Sequence, residues 1–167
     1  MNAEPDLREV YAASAARLVA QLYGMTGDFA EAQDAVQEAF ARALAHPARL
    51  REVVSLEGWL FRVATNIARS RYRRRIRFDR IVRSGRLREA DTTPALSPDH
   101  VALVAALQRL PRGIRETVVL HHLADLPIAE VATVLGCTAA TVRTRLVRGR
   151  RALARHLGET EMEGSRA

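Results

Sequence analysis

Residues 128–157 read IAEVATVLGCTAATVRTRLVRGRRALARHL, and this stretch decides how the chain folds. Ile128, Val131, Ala132 and Leu135 recur at helical spacing, with Pro127 at the start of that segment. Gly136 can adopt the left-handed conformation that ends a helix, and Thr138 can cap the next one. Ala132 is small where two helices must approach closely, and Val142 and Leu146 pin the second helix against the first. The spacing therefore predicts helix, three-residue turn, helix, with Thr141, Arg143, Thr144, Val147 and Arg148 facing outward. A second helix presented in this way fits a major groove, its first residues near base edges and its later arginines near phosphates. Six arginines (143, 145, 148, 150, 151 and 155) lie between Thr138 and Leu157 without one carboxylate. A solvated amphipathic helix explains the apolar stripe of Val142, Leu146, Leu153 and Leu157, but not that one-sided charge. Cys137 occupies an apolar turn position and reads as a small packed hydrophobe.

The remainder of the composition agrees with a folded, anion-binding chain. Its 167 residues suffice for one ordinary domain or two small ones, and 48% hydrophobic with 27% charged residues is a globular balance. The net charge is +7, and all 26 basic residues are arginine. Arginine offers a rigid fork of donors to phosphate and guanine, although a GC-rich genome also favours its codons. One cysteine excludes an internal disulfide framework and a cysteine-based zinc site. No apolar run approaches the roughly 18 residues of a membrane span. The opening MNAEPDLREV is too polar for a signal peptide, so a cytoplasmic protein is expected.

Working outward, helical periodicity dominates and strand-like alternation is absent. Residues 7–23 place Val10, Leu18 and Leu22 on one side. A second helix follows, capped by Thr26 or Asp28, with Ala32, Val36, Phe40 and Leu44 as its buried stripe. After a turn at His46-Pro47, Trp59, Leu60, Val63, Ala64 and Ile67 give a third apolar stripe that runs into a dense arginine tail. From 77 to 96 the pattern decays into RFDRIVRSGRLREADTTPAL, which reads as a linker. Ser97 then caps a helix with Pro98 and Asp99 in its first turn, and Val101, Val104 and Leu107 face inward. Leu110-Pro111 restarts the chain, and Ile114, Val118 and Leu123 continue the core. The expected fold is all-α: two small helical domains joined by a flexible linker, the second containing the helix-turn-helix.

The first half carries its own charge pattern. Asp34, Gln37, Glu38 and Arg42 lie on the exposed side of the second helix. Asp28, Glu31, Asp34 and Glu38 approach helical spacing, so a metal-dependent nuclease has to be weighed. No nearby histidine or second carboxylate helix completes such a site. His121 and His122 are adjacent, and so point about 100° apart on a helix. An acidic face for a protein partner, or simple solvation, is the stronger reading. Residues 59–77 hold seven arginines and no acid, with Tyr72 interleaved, a pattern that suits single-stranded DNA or a basic surface helix equally, and a second DNA-binding domain favours the former.

Three segments in this order, GDFAEAQDAVQEAFARAL, GWLFRVATNIARSRYRRR and LQRLPRGIRETVVLHHLADLPIAEVATVLGCTAATVRTRLVRGRRAL, resemble an extracytoplasmic-function (ECF) sigma factor of bacterial RNA polymerase. The resemblance runs through residues 8–157 apart from the linker. It implies region 2 in residues 1–76, a linker in 77–96, region 4 in 97–158 and a frayed tail in 159–167. DAVQEAF is similar to the segment that docks on core polymerase, so Asp34, Gln37 and Glu38 are the implied contacts. GWLFRVATN is similar to the part that holds the −10 element open. The implied contacts there are Trp59, Arg62 and Asn66, the last beside a flipped base, followed by Arg69, Arg71, Arg73 and Arg74 along the strand. Thr138, Thr141, Arg143, Thr144, Val147, Arg148 and Arg151 fall on the face implied to meet the −35 element. Ala139-Ala140 departs from the Val-Gly more usual before Thr-Val in the family.

The resemblance further implies a protein that is not an enzyme and needs no metal or cofactor. Its implied partners are core RNA polymerase, promoter DNA (the −35 duplex and the opened −10 element) and an anti-sigma factor, which would hold it near the membrane without insertion. The alternative function is a conventional helix-turn-helix transcriptional regulator.

Overall fold

The computed structural model describes residues 6–51, 53–81 and 97–164, and within them every regular element is helical. The chain divides into two compact units, Met1–Leu22 with Asp28–Thr93 and Tyr23–Gly27 with Pro94–Ala167.

The first helix, α1 (Leu7–Thr26), buries Leu18, Leu22 and Met25. Gly27, at φ +70°, ends it, and Asp28 starts α2 (Phe29–Ala45) by accepting the Glu31 amide at 2.9 Å. Asp28, and not Thr26, is therefore the cap. Ala32, Ala35, Val36, Ala39, Phe40 and Ala43 face α3 (Leu56–Ile81), which packs along α2 after a single 3-10 turn at Pro47–Leu50. On α3 the fully buried residues are Leu60, Phe61, Ala64 and Thr65, whereas Trp59 and Val63 are half-buried. Tyr11 meets the Phe40 ring edge-on at 4.9 Å, and Arg17 Nε donates to Glu57 Oε1 at 2.7 Å, tying α1 to this pair.

Two expectations need correction here. Leu44 is 65% exposed, because near the end of α2 the inward position is taken by Ala43, 100° away round the helix. The expected linker begins too early, since α3 remains helical through Ile81, with neither glycine nor proline to stop it before Gly85. The rest of the linker lies outside the described residues.

In the second unit, Ser97 caps α4 (Pro98–Gln108) by accepting the His100 amide at 3.3 Å. Val104, Ala106 and Leu107 are buried, but Val101, in the first turn, is 52% exposed. Helical spacing predicted Val101, Val104 and Leu107 inward, and spacing alone does not say where the covering helix ends. Next come α5 (Arg112–Val118) and a π turn over Val119–Leu123, in which the Ala124 amide reaches back to the Val119 carbonyl at 3.0 Å. Val118 is buried as expected, the wider turn buries Val119 and Leu120 beside it and leaves Leu123 half-buried, and Ile114, before the turn, is also half-buried.

The helix-turn-helix forms as its sequence requires. α6 (Ile128–Leu135) buries Val131 and Val134, and Gly136 ends it at φ +63°. Thr138 accepts the Thr141 amide at 3.1 Å and starts α7 (Ala139–Gly164). Val131 and Val142 are fully inaccessible, and burying each such side chain contributes about 1.5–3 kcal/mol. α7 also packs on α4 and α5. The expected frayed tail is instead helical through Gly164: the apolar stripe lapses after Leu157, but Glu159, Glu161, Met162 and Glu163 are all good helix formers.

Candidate nucleic-acid interface

The outward face of α7 begins at the cap. Thr138 is exposed, and its hydroxyl lies 2.9 Å from that of the half-buried Thr141. Arg143, Thr144, Val147, Arg148 and Arg151 are all exposed. Positions 141, 144, 148 and 151 follow one helical stripe, with 147 on its flank and 143 about 120° round from its centre. The Thr144 hydroxyl donates to the Ala140 carbonyl at 3.1 Å, which leaves its lone pairs to accept from a base amino group. Val147, 41% exposed, is a solvated apolar patch able to meet a thymine methyl.

Arg145 is turned elsewhere. Its guanidinium covers the Gly113 backbone and reaches to 3.9 Å from Cys137 Sγ, so it packs α7 on α5 and the turn. The half-buried Cys137 thus sits beneath the Arg145 guanidinium. Behind the same helix, His122 sits edge-on to His121 at 4.8 Å. Its pKa lies below the ordinary histidine value through partial burial and the nearby charges of His121 and Arg150. His121 Nδ1 is held at 2.8 Å from the Leu126 carbonyl. Among the described residues, no three His, Cys, Asp or Glu side chains converge to hold a metal ion. No helix among them is long and apolar enough to cross a membrane.

On α3, Trp59, Arg62, Asn66, Arg69 and Arg73 recur at three- and four-residue steps and form one stripe. Asn66, Arg73 and Arg74 are exposed, while Trp59, Arg62 and Arg69 are half-buried. Arg74 lies to one side of the stripe, and Arg71 lies on the other flank of the helix. Arg71 Nη2 donates to Glu38 Oε2 at 2.7 Å, across the α2–α3 packing, and Glu38 also pairs with Arg42 on its own helix. Partial burial alone would raise the Glu38 pKa, but hydrogen bonds and charge from Arg42 and Arg71 hold it below the usual glutamate range. One turn farther along α3, Arg75 Nη1 bonds Glu31 Oε2 at 3.2 Å, and Glu31 is buried. Asp34 and Gln37 stand exposed on the solvent side of α2, with Glu38 at their border.

The Glu31–Arg75 pair was not foreseen from sequence. Its signal is a spacing match: carboxylates seven apart on one helix and arginines four apart on the next meet when the two helices run antiparallel.

Residues 10–78 match the Sigma-70 region 2 family, and residues 100–153 match the Sigma-70, region 4 family. The ECF RNA polymerase sigma factor SigW of Bacillus subtilis is 30% identical over 151 residues, 81% of this chain and 80% of that protein. SigL, an ECF RNA polymerase sigma factor of Mycobacterium tuberculosis, is 33% identical over 165 residues, 92% of each chain. SigE of Mycolicibacterium smegmatis, of the same description, is 32% identical over 95% of this chain and 65% of its own length. Among solved structures, the sigma factor RpoE in complex with the anti-sigma factor NepR from Bartonella quintana superposes with a TM-score of 0.76. It is 23% identical, over 92% of this chain and 97% of that one. CnrH, solved in complex with the cytosolic domain of CnrY, gives 0.61 at 22% identity, over 95% and 91%. At those identities the two structures establish the fold. With both regions matched in order, and relatives similar over most of their own length, the chain belongs to the ECF RNA polymerase sigma factors, a family of non-catalytic transcription initiation factors.

Proposed function

We propose that this chain binds core RNA polymerase through α2 and directs it to promoters through two separate DNA contacts. Asp34, Gln37 and Glu38 form the docking edge. The α3 stripe of Trp59, Arg62, Asn66, Arg69 and Arg73, with Arg74 beside it, takes the opened −10 strand. Thr138, Thr141, Arg143, Thr144, Val147, Arg148 and Arg151 read the −35 duplex. Strand opening follows if a base leaves the stack near Asn66, where hydrogen bonds offset an unstacking cost of a few kcal/mol.

The observation that carries this reading is the exposed, acid-free surface at the start of α7, polar but for Val147. A match to region 2 over residues 10–78 supports it and disfavours a conventional helix-turn-helix regulator. Two modest contacts held at fixed separation by polymerase gain avidity, so the isolated chain binds promoter DNA weakly and the holoenzyme strongly. RpoE of Bartonella quintana and CnrH were solved with an anti-sigma factor and with the cytosolic domain of CnrY, respectively. By analogy, an anti-sigma factor covers surfaces of this chain otherwise used for polymerase, in the cytoplasm.

The test is in vitro transcription with purified core polymerase over a genomic promoter pool. Specific initiation that depends on the chain, and is lost on charge reversal at Asp34 and Glu38, supports the proposal. Initiation unaffected by that reversal counts against α2 as the docking edge.

A further inference from the structure

The arginines of α3 do not form one set. At 100° per residue, positions 59, 62, 66, 69 and 73 cover one side, with 74 on its flank, whereas 71 and 75 lie on the opposite side, each about 160° round from its centre. Those two meet carboxylates of α2: Arg71 on Glu38 at 2.7 Å and Arg75 on Glu31 at 3.2 Å. Glu31 and Glu38 are separated by two turns of α2, and the pairs run in opposite order along the two helices, so they form an antiparallel clasp. Arg71 and Glu38 are each 35% exposed at the side chain, so the pair sits at the rim of the packed interface.

We propose that Arg71 is a positioning residue for the docking edge, not a contact to the DNA strand. The inference rests on Glu38 belonging to that edge. Arg42 bonds one carboxylate oxygen of Glu38 and Arg71 the other. An ionised carboxylate has about four acceptor sites, so two remain for a basic group of the partner without either arginine letting go. With Arg71 present, the carboxylate is fixed between two helices. Without it, Glu38 keeps only the neighbour on its own helix and recovers its rotamer freedom. The partner must then order it at the moment of binding, a cost large enough to lower affinity severalfold.

The experiment measures affinity of the full chain for purified bacterial core RNA polymerase, without DNA, for Arg71→Gln, Arg71→Lys, Glu38→Gln, Asp34→Asn and the double variants. Arg71→Gln is expected to weaken core binding about 2- to 10-fold, following the ordering cost of one long side chain. Arg71→Lys, which keeps a donor for the carboxylate, recovers part of the loss. In the Glu38→Gln background, Arg71→Gln has no further effect, whereas with Asp34→Asn the two losses add. A second readout follows holoenzyme binding to promoter DNA against salt. Arg73→Gln lowers the log–log slope by roughly 0.7, one single-strand phosphate contact, and Arg71→Gln leaves it unchanged.

Tighter core binding by Arg71→Gln, no change, or a loss that persists in the Glu38→Gln background overturns the proposal, as does a reduced salt slope. If Glu38→Gln and Asp34→Asn both bind core normally, the docking edge itself is wrong, and the positioning role falls with it. If Glu38→Gln weakens binding and Arg71→Gln does not, only the positioning role falls.

Discussion

Gly149 of α7 lies against Val118 of α5 so closely that a Cβ in its place would sit 2.5 Å from Val118 Cγ2 and 3.1 Å from Ile114 Cγ2. Both residues are buried, and the glycine stands mid-helix among arginines. A glycine there sacrifices helix propensity, about 1 kcal/mol against alanine, to let two helix backbones approach. The helix proposed to carry the −35 face is seated on its domain through this contact.

Gly149→Ala is therefore expected to destabilise the chain despite alanine's better propensity. Overpacking of a tight helix contact costs about 1–3 kcal/mol, which equals or exceeds the propensity gain. Chemical denaturation should show a lower midpoint with little change in slope. A variant more stable than the parent would contradict the packing argument.

Thr65 offers the opposite case. It is fully buried on α3, and its hydroxyl has no hydrogen-bond partner among the described residues. Thr65→Val keeps the shape and removes an unsatisfied polar group, whose desolvation costs about 1–3 kcal/mol. Thermal unfolding of the variant should occur at higher temperature; a lower one would reveal a bonded hydroxyl.

The α7 arginines should separate in DNA binding. Arg143→Ala and Arg148→Ala are expected to relax sequence preference on a −35 duplex, at about 1–3 kcal/mol of lost discrimination each. Arg155→Ala should weaken all sequences alike, and Arg145→Ala should lower stability more than affinity, since its guanidinium packs on Gly113. If about six phosphates are neutralised, affinity falls with a log–log salt slope of roughly −5. Binding to randomised duplexes reads the preference, and equal losses on all sequences for Arg143, Arg148 and Arg155 would refute the assigned face.

Two groups set a pH dependence. His122 has a folded pKa below its unfolded value of 6.5, so the unfolded chain binds the proton more readily. Stability from its neutral form is fully present above 6.5 and declines as pH falls through the folded pKa. Glu38 is also lowered, from 4.5, so its contribution is present above 4.5 and lost at still lower pH. Melting temperature against pH should decline below neutrality, less steeply near pH 6 for His122→Gln, and the acid limb should soften for Glu38→Gln. Superimposable profiles for parent and His122→Gln would remove that histidine as a cause.

Much of the fold was legible because its signals are local. Asp28, Ser97 and Thr138 cap the helices that follow them, and Gly136 takes the left-handed conformation that a helix end demands. Val131, Val142 and Leu146 are buried at the spacing that predicted them. The misses fall where a partner decides. Leu44 and Val101 keep the helical period but lie exposed near helix ends. The π turn at Val119–Leu123 shifts which apolar residues point inward, and no periodicity rule anticipates an extra residue in one turn.

By itself, then, the sequence determined an all-helical chain with a helix-turn-helix, an acid-free arginine face on α7 and the order of segments that marks its family. Caps, helical period and charge sign act over a few residues, so they are readable along the chain. Only the tertiary structure decided which arginine does what. Arg71, Arg75 and Arg145 are chemically identical to Arg73 and Arg148. What separates them is the neighbour each meets, a carboxylate or backbone of another helix in the first group and solvent in the second. An arginine spent on an internal carboxylate is neutralised there, so its charge counts toward helix registry more than toward binding phosphate.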